Sequence, residues 1–296
     1  MKRLTVMMIA LAAAAMPASA QSQRETWNKP GEAFRIIGNA YYVGTGGLSS
    51  YLFETKDGLI LLDGALTESV PQIEANIAKL GFKLGDVKII LNSHAHYDHS
   101  GGLAQLKKDT GAKFYAMEGD VSALEGGFYL GSETNAAFGA PPVKIDRKLK
   151  DGDTVELGGF KLTANLTSGH TRGCTSWGWT AEEGGKSYQA LVFCSATVAA
   201  NRITPPVQYD GIVADYRKTF AKTKTMKVDV FLAPHPEFAD IMGKHARQTA
   251  DPKGPNPFIN PAEFRPFIEK AEADFEKTLK ERTEAAAKPA AKTPAN

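Results

Sequence analysis

Charge imbalance is the first thing this 296-residue sequence lacks: 35 Lys and Arg stand against 33 Asp and Glu, a formal net charge of +2. A near-neutral surface of mixed sign offers no electrostatic case for a nucleic acid or an anionic membrane as partner. Long apolar runs are missing too. The run at residues 4–16 follows Lys2 and Arg3 and precedes Ala18, Ser19 and Ala20, a small-residue cleavage site. Residues 1–20 therefore read as a secretory signal peptide rather than a bilayer span, and the mature protein is expected in the periplasm. Losing both basic residues brings the net charge to zero.

Cysteine is scarce, with only Cys174 and Cys194. This excludes a disulfide-dense scaffold, and a chain of this length can bury a core without one. In an exported chain, a pair of cysteines is expected to be bridged. Strand-like residues 174–181 and 187–194 flank a turn at 182–186, which sets the two strands side by side with a disulfide across the hairpin. At this stage a Cys194 thiolate as metal ligand remains open.

Histidine is also scarce, six in all, yet three of the six fall in Ser93-His94-Ala95-His96-Tyr97-Asp98-His99. With Asp98 that makes four potential ligands within six residues. The preceding run 87–91 is apolar and β-branched, so the ligands sit in the loop leaving a buried strand. On extended backbone, His94 and His96 point to one side and can grip one ion. His170, after the strand at 160–164, and His235, after the run 228–232, occupy the same kind of strand-end loop. His245 lies in a charged stretch and is expected to be merely solvated. His94, His96 and His170 are thus expected to hold one zinc with an open position, and Asp98, His99 and His235 a second. A water shared by two such ions becomes a hydroxide nucleophile near neutral pH, oriented by Asp98, so the reaction class is metal-assisted hydrolysis. A metal-storing protein without turnover uses adjacent open sites less well.

The remaining text alternates strands and helices. A hairpin covers 48–54 and 58–63, followed by a helix with Val70, Ile73, Ile77 and Leu80 on one face, then the metal-loop strand, a helix at 102–109 and a strand at 113–116. Residues 126–141, rich in Gly, Ala and Pro, read as a long connection or a substrate lid. Strands return at 154–157, 160–165, 174–181 and 187–194, then a helix at 211–223 and an amphipathic helix at 261–284. The tail 285–296 reads as disordered. Residues 21–284 are read as a single domain of two halves, about 30–165 and 166–284, β-rich and packed face to face with helices outside.

The HAHYDH loop, Leu61-Leu62-Asp63-Gly64, Ser168-Gly169-His170-Thr171 and Ala233-Pro234-His235-Pro236 together resemble the metallo-β-lactamase superfamily across residues 30–280. That resemblance implies an αββα sandwich, α+β in class, with two mixed sheets face to face, and two zinc ions. HxHxDH alone is shared with glyoxalase II and the lactonases, which place a metal-bridging Asp at a later strand end. Here no Asp or Glu occurs from 184 to 208. Subclass B1 enzymes put a Cys there and Arg in place of His99. The combination of His99 with Ser195 looks instead like subclass B3. By that resemblance Ser195 and Thr197 bind the carboxylate of a β-lactam, a small-molecule substrate, and the two cysteines are left free to pair. Asp63 is expected behind a ligand, and Trp27, Phe128 and Tyr129 as pocket walls. The resemblance implies a β-lactamase conferring antibiotic resistance, with hydrolysis of a lactone or thioester as the alternative; the protein is expected to act as a monomer.

Overall fold

Alternation of apolar residues builds two layers on either side of one sheet. The computed structural model describes residues 18–287. The signal-peptide reading falls almost wholly on residues outside that span, as do tail residues 288–296. The helix α1 (Ala18–Trp27) leads into strands β1 (Phe34–Ile37), β2 (Ala40–Tyr42), β3 (Tyr51–Thr55) and β4 (Gly58–Leu62). Helix α2 (Val70–Lys79), strand β5 (Val87–Leu91), the single turn α3 (Tyr97–Ser100), helix α4 (Leu103–Thr110), strand β6 (Lys113–Met117), helix α5 (Val121–Gly126) and strand β7 (Arg147–Leu149) follow. These seven strands form one sheet in chain order, antiparallel through β4 and parallel from β4 to β7. In β4 and β5, Ile60, Leu62, Ile89 and Leu91 enter the central core, while Leu59, Leu61 and Ile90 enter an outer core with Val70, Ile73 and Ile77 of α2. A period of two supplies both faces of a buried strand.

The second sheet contains β8 (Thr154–Leu157), β9 (Phe160–Leu166), β10 (Thr175–Glu183), β11 (Lys186–Val192) and β12 (Val230–Leu232), in the order β12-β11-β10-β9-β8. Only the β11 and β12 pair is parallel. Helices α6 (Ile212–Thr223), α7 (Ile241–Ala250) and α8 (Phe264–Ala287) are the last helices among the described residues. Tyr216 and Phe220 of α6 pack with Phe275 of α8 outside this sheet, and Trp179 meets Phe53 edge-on between the sheets. The layering is the αββα sandwich expected.

The sequence reading needs adjustment in several places. The first sheet ends at Leu149, so the sheets part at 150–153 rather than at 165, because β8 and β9 pair with β10 (Thr175 opposite Leu166). Helix α8 continues to Ala287, two residues beyond the expected start of the tail at 285. Helices α5 and α7 and the short strand β7 were not foreseen. His245 lies on α7 and is not merely solvated: its ring stacks on Phe34 with centroids 3.7 Å apart, while Nε2 faces Glu32 at 3.5 Å. The turn between β10 and β11 is only Gly184 and Gly185, both with positive φ, as a tight two-residue hairpin requires.

Candidate metal centre

Strand ends deliver the ligands. From Asn92 the chain leaves β5, and His96 is extended (φ −88°, ψ 147°) before the single turn α3 begins. The amides of His99 and Ser100 return to the His96 carbonyl, so Asp98 and His99 ride on a helical turn rather than extended backbone. Thr175 N donates to the Ser93 carbonyl and Trp177 Nε1 to that of Asn92, tying this loop to the second sheet. Gly101 lets the chain pass close by, since a Cβ there would meet the Tyr97 carbonyl at 2.5 Å.

His94, His96 and His170 come together with ring centroids 4.5 to 4.7 Å apart. One ligand atom from each lies within 4.8 Å of the others, and the same holds for Asp98, His99 and His235. The groups adjoin, with the His94 and His99 rings 4.4 Å apart. His170 is presented by Gly169, whose φ of +130° and 2.7 Å clearance from the Tyr216 ring exclude any side chain. The Ala233 carbonyl accepts from Tyr51 Oη and that of Pro234 from Ser49 N, fixing the His235 loop.

Burial, followed by the neighbouring imidazoles, holds His94 well below the ordinary histidine value; His96 is lowered likewise, and His170 falls to about 4. All three are neutral at pH 7, the form that ligates. Burial pushes His99 down, but the Asp98 carboxylate outweighs it and the net shift is upward. Asp98 itself, despite burial, is held well below the carboxylate range by His99 and His235. Its Oδ2 lies 3.3 Å from Nε2 of both rings.

The residues fit a divalent ion. Nε2 of His94 is buried without a hydrogen-bond partner, while its Nδ1 lies 3.0 Å from Ser93 Oγ. His170 Nδ1 donates to the Thr197 carbonyl at 2.7 Å, leaving Nε2 bare toward the group. Nε2 atoms of His99 and His235 face one another at 3.1 Å beside a carboxylate. Bare imidazole nitrogens aimed at a common point form a cation site.

Surrounding residues hold this arrangement. Asp63 Oδ1 accepts from Ser93 N and Asn92 Nδ2, and its Oδ2 lies 4.0 Å from His99 Nδ1, so it stands behind the ligands as expected. Asp120 was not foreseen. Its buried carboxylate accepts from Ala95 N, Thr171 Oγ1 and Gly173 N, which locks the His94–His96 backbone to the His170 loop. Burial pushes this carboxyl up to about 6 against those three donors. Cys174 and Cys194 are disulfide-bonded, just before β10 and just after β11. The sulfur of Cys194 lies 3.6 Å from His94 Nδ1, behind the ligand, and the bond to Cys174 leaves it no thiolate to offer.

Ser195 Oγ and Thr197 Oγ1 sit 3.2 Å apart, the latter 3.3 Å from His170 Nδ1. Tyr129 stacks on His96 at 4.5 Å, and Trp27 approaches His235 at 5.6 Å. Phe128 packs instead against the outer core. Within the 126–141 connection, Phe138 lies against Tyr129 and Tyr97.

A family model described as the metallo-beta-lactamase superfamily matches residues 43–182. Curated relatives match over part of their length: a probable metallo-hydrolase of Burkholderia pseudomallei is 30% identical over 141 residues, 44% of this chain and 47% of the relative. A hydroxyacylglutathione hydrolase of Rhodospirillum rubrum is 32% identical over 37% of this chain and 33% of its own. The chain thus spans half or less of these relatives. Among solved structures, BJP-1, a subclass B3 metallo-β-lactamase of Bradyrhizobium japonicum, is 49% identical with a TM-score of 0.86, over 88% of this chain and 98% of its own. The FEZ-1 metallo-β-lactamase of Legionella gormanii is 40% identical with a TM-score of 0.83, over 86% and 98%. With the sandwich fold, the two adjoining ligand groups and these full-length likenesses, the chain belongs to the metallo-β-lactamase superfamily and resembles its subclass B3 members.

Proposed function

We propose that this protein is a di-zinc β-lactamase that opens the four-membered lactam by hydrolysis. His94, His96 and His170 would hold one ion and Asp98, His99 and His235 the other; imidazole and carboxylate donors suit zinc. Bound zinc supplies Lewis acidity and a water acidified to near neutral pH. The protein supplies orientation. Asp98, ionised and within 3.3 Å of two imidazoles, would help hold the second ion and orient the attacking water toward the lactam carbonyl. Ser195 and Thr197 donate to the carboxylate that β-lactams carry beside the ring nitrogen. Tyr129 and Trp27 shield the edges of the site from bulk water.

The observation carrying this reading is the segment 193–197 after β11, where two hydroxyls stand beside His170 and the sequence from 184 to 208 holds no Asp or Glu. Similarity to subclass B3 enzymes over 98% of their length supports it. Thioester hydrolysis is the second reading, favoured by the partial likeness to hydroxyacylglutathione hydrolases. The leader read at residues 1–20 and the disulfide support export to the periplasm, and a monomer acting in antibiotic resistance completes the proposal. Hydrolysis of a chromogenic cephalosporin and of a glutathione thioester by the same purified preparation separates the readings. A lactam kcat/KM at least about 100-fold above that for the thioester is expected; the reverse order overturns the proposal.

A further inference from the structure

A cavity of about 390 Å³ lies between α8 and the segment 193–198. Phe193, Phe267, Ala271 and Phe275 line it, together with Ser195 and Thr197. At its mouth Lys270 and Asp274 pair at 2.5 Å with side chains 75% and 62% exposed. Phe238, also on its wall, lies 5.6 Å from the His235 ring. None of the six ligand residues lines it. Close-packed interiors leave few voids larger than a water molecule, and a dry apolar void of about 150 Å³ already admits benzene. This space is too large for a packing defect and has the apolar lining with few polar groups of a ligand pocket.

We propose that the cavity is a specificity subsite for an aromatic or branched apolar substituent on the substrate, on the far side of the carboxylate from the reacting amide. The inference rests on the β-lactamase reading. In a cephalosporin or carbapenem, the lactam nitrogen is bonded to the carbon bearing the carboxylate, and the next ring carbon carries the variable substituent. With the carboxylate on Ser195 and Thr197, which belong to the cavity lining while Thr197 Oγ1 lies 3.3 Å from the His170 ring, the amide faces the metals and that substituent enters between Phe193 and α8. The exposed Lys270–Asp274 pair leaves the mouth open to a group that extends past it.

Two cephalosporins with the same acyl chain, carrying methyl or an aromatic thiomethyl group at that carbon, test the proposal with Ala271→Phe, which fills the cavity, and Ala271→Leu, which fills part of it. The aromatic substrate's KM is expected to rise about tenfold or more with Ala271→Phe and less with Ala271→Leu, while the methyl substrate changes less than about twofold. The methyl substrate also reports folding, and Ala271→Leu carries the test if the larger variant misfolds. Equal effects on both substrates, or none on either, overturn the proposal. Should the protein hydrolyse no β-lactam, the functional reading fails separately. The subsite is then read from calorimetric binding of 4-biphenylcarboxylate: binding lost in Ala271→Phe supports it, and unaltered or absent binding overturns it.

Discussion

His94, His96 and His170 are buried against one another, and their low affinity for protons decides how the site responds to acid. In the metal-free protein, His170 titrates near 4 but near the ordinary histidine value once unfolded. Between those values the unfolded chain binds more protons, so stability rises with pH. Metal-free protein is therefore predicted to lose about 3 kcal/mol from His170 alone as pH falls from 7 through 6.5 to below 4, measured by urea unfolding; a pH-independent midpoint contradicts this. His99 behaves oppositely, because Asp98 raises its proton affinity. A proton there competes with the second ion, so that ion's affinity is predicted to fall on acidification from pH 7 while the first ion is still held, as read by chelator competition. Simultaneous loss of both refutes the assignment. Asp120 makes a further test. Asp120→Asn turns one of three acceptor contacts into a donor facing a donor, predicting a loss of about 1–3 kcal/mol and first-ion affinity weakened about 10- to 100-fold. Unchanged metal affinity assigns Asp120 to folding alone.

At the scale of elements, the strand carrying the metal loop and its alternation were legible because each residue's face follows from a period of two. The candidate ligands were legible for a different reason: a rare residue type at ligand spacing is a chemical statement that needs no tertiary knowledge, and the fold brings those residues into two adjoining groups. Asp120 was invisible, since its role depends on three donors from two distant loops, and locally it reads as a helix-capping Asp. His245 was misplaced for the same reason: only the packing of α7 against β1 puts its ring on Phe34. The hairpin of β10 and β11 was readable from its glycines, and with it the bridge that closes 20 residues of sequence separation between Cys174 and Cys194. A loop of that size predicts that Cys174→Ser, kept reduced, lowers stability by about 3 kcal/mol. Both ions should remain bound, and loss of the second ion would show that Cys194 matters to the ligands themselves.

Across the whole molecule, two sheets pack face to face and aim their strand-end loops at one place, which is how ligands 141 positions apart (His94 to His235) meet. On the proposed reading, the choice between lactam and thioester falls to a few side chains, chiefly Ser195, Thr197 and the walls of the cavity beside them. The proposed mechanism makes activity depend on metal occupancy, and kcat/KM for a chromogenic cephalosporin, followed as zinc is returned to chelated protein, tests that claim most directly. Metal-free protein is predicted to be inactive, with turnover restored as occupancy approaches about two ions per chain. Rapid β-lactam hydrolysis without metal, or none at full occupancy, would contradict the account.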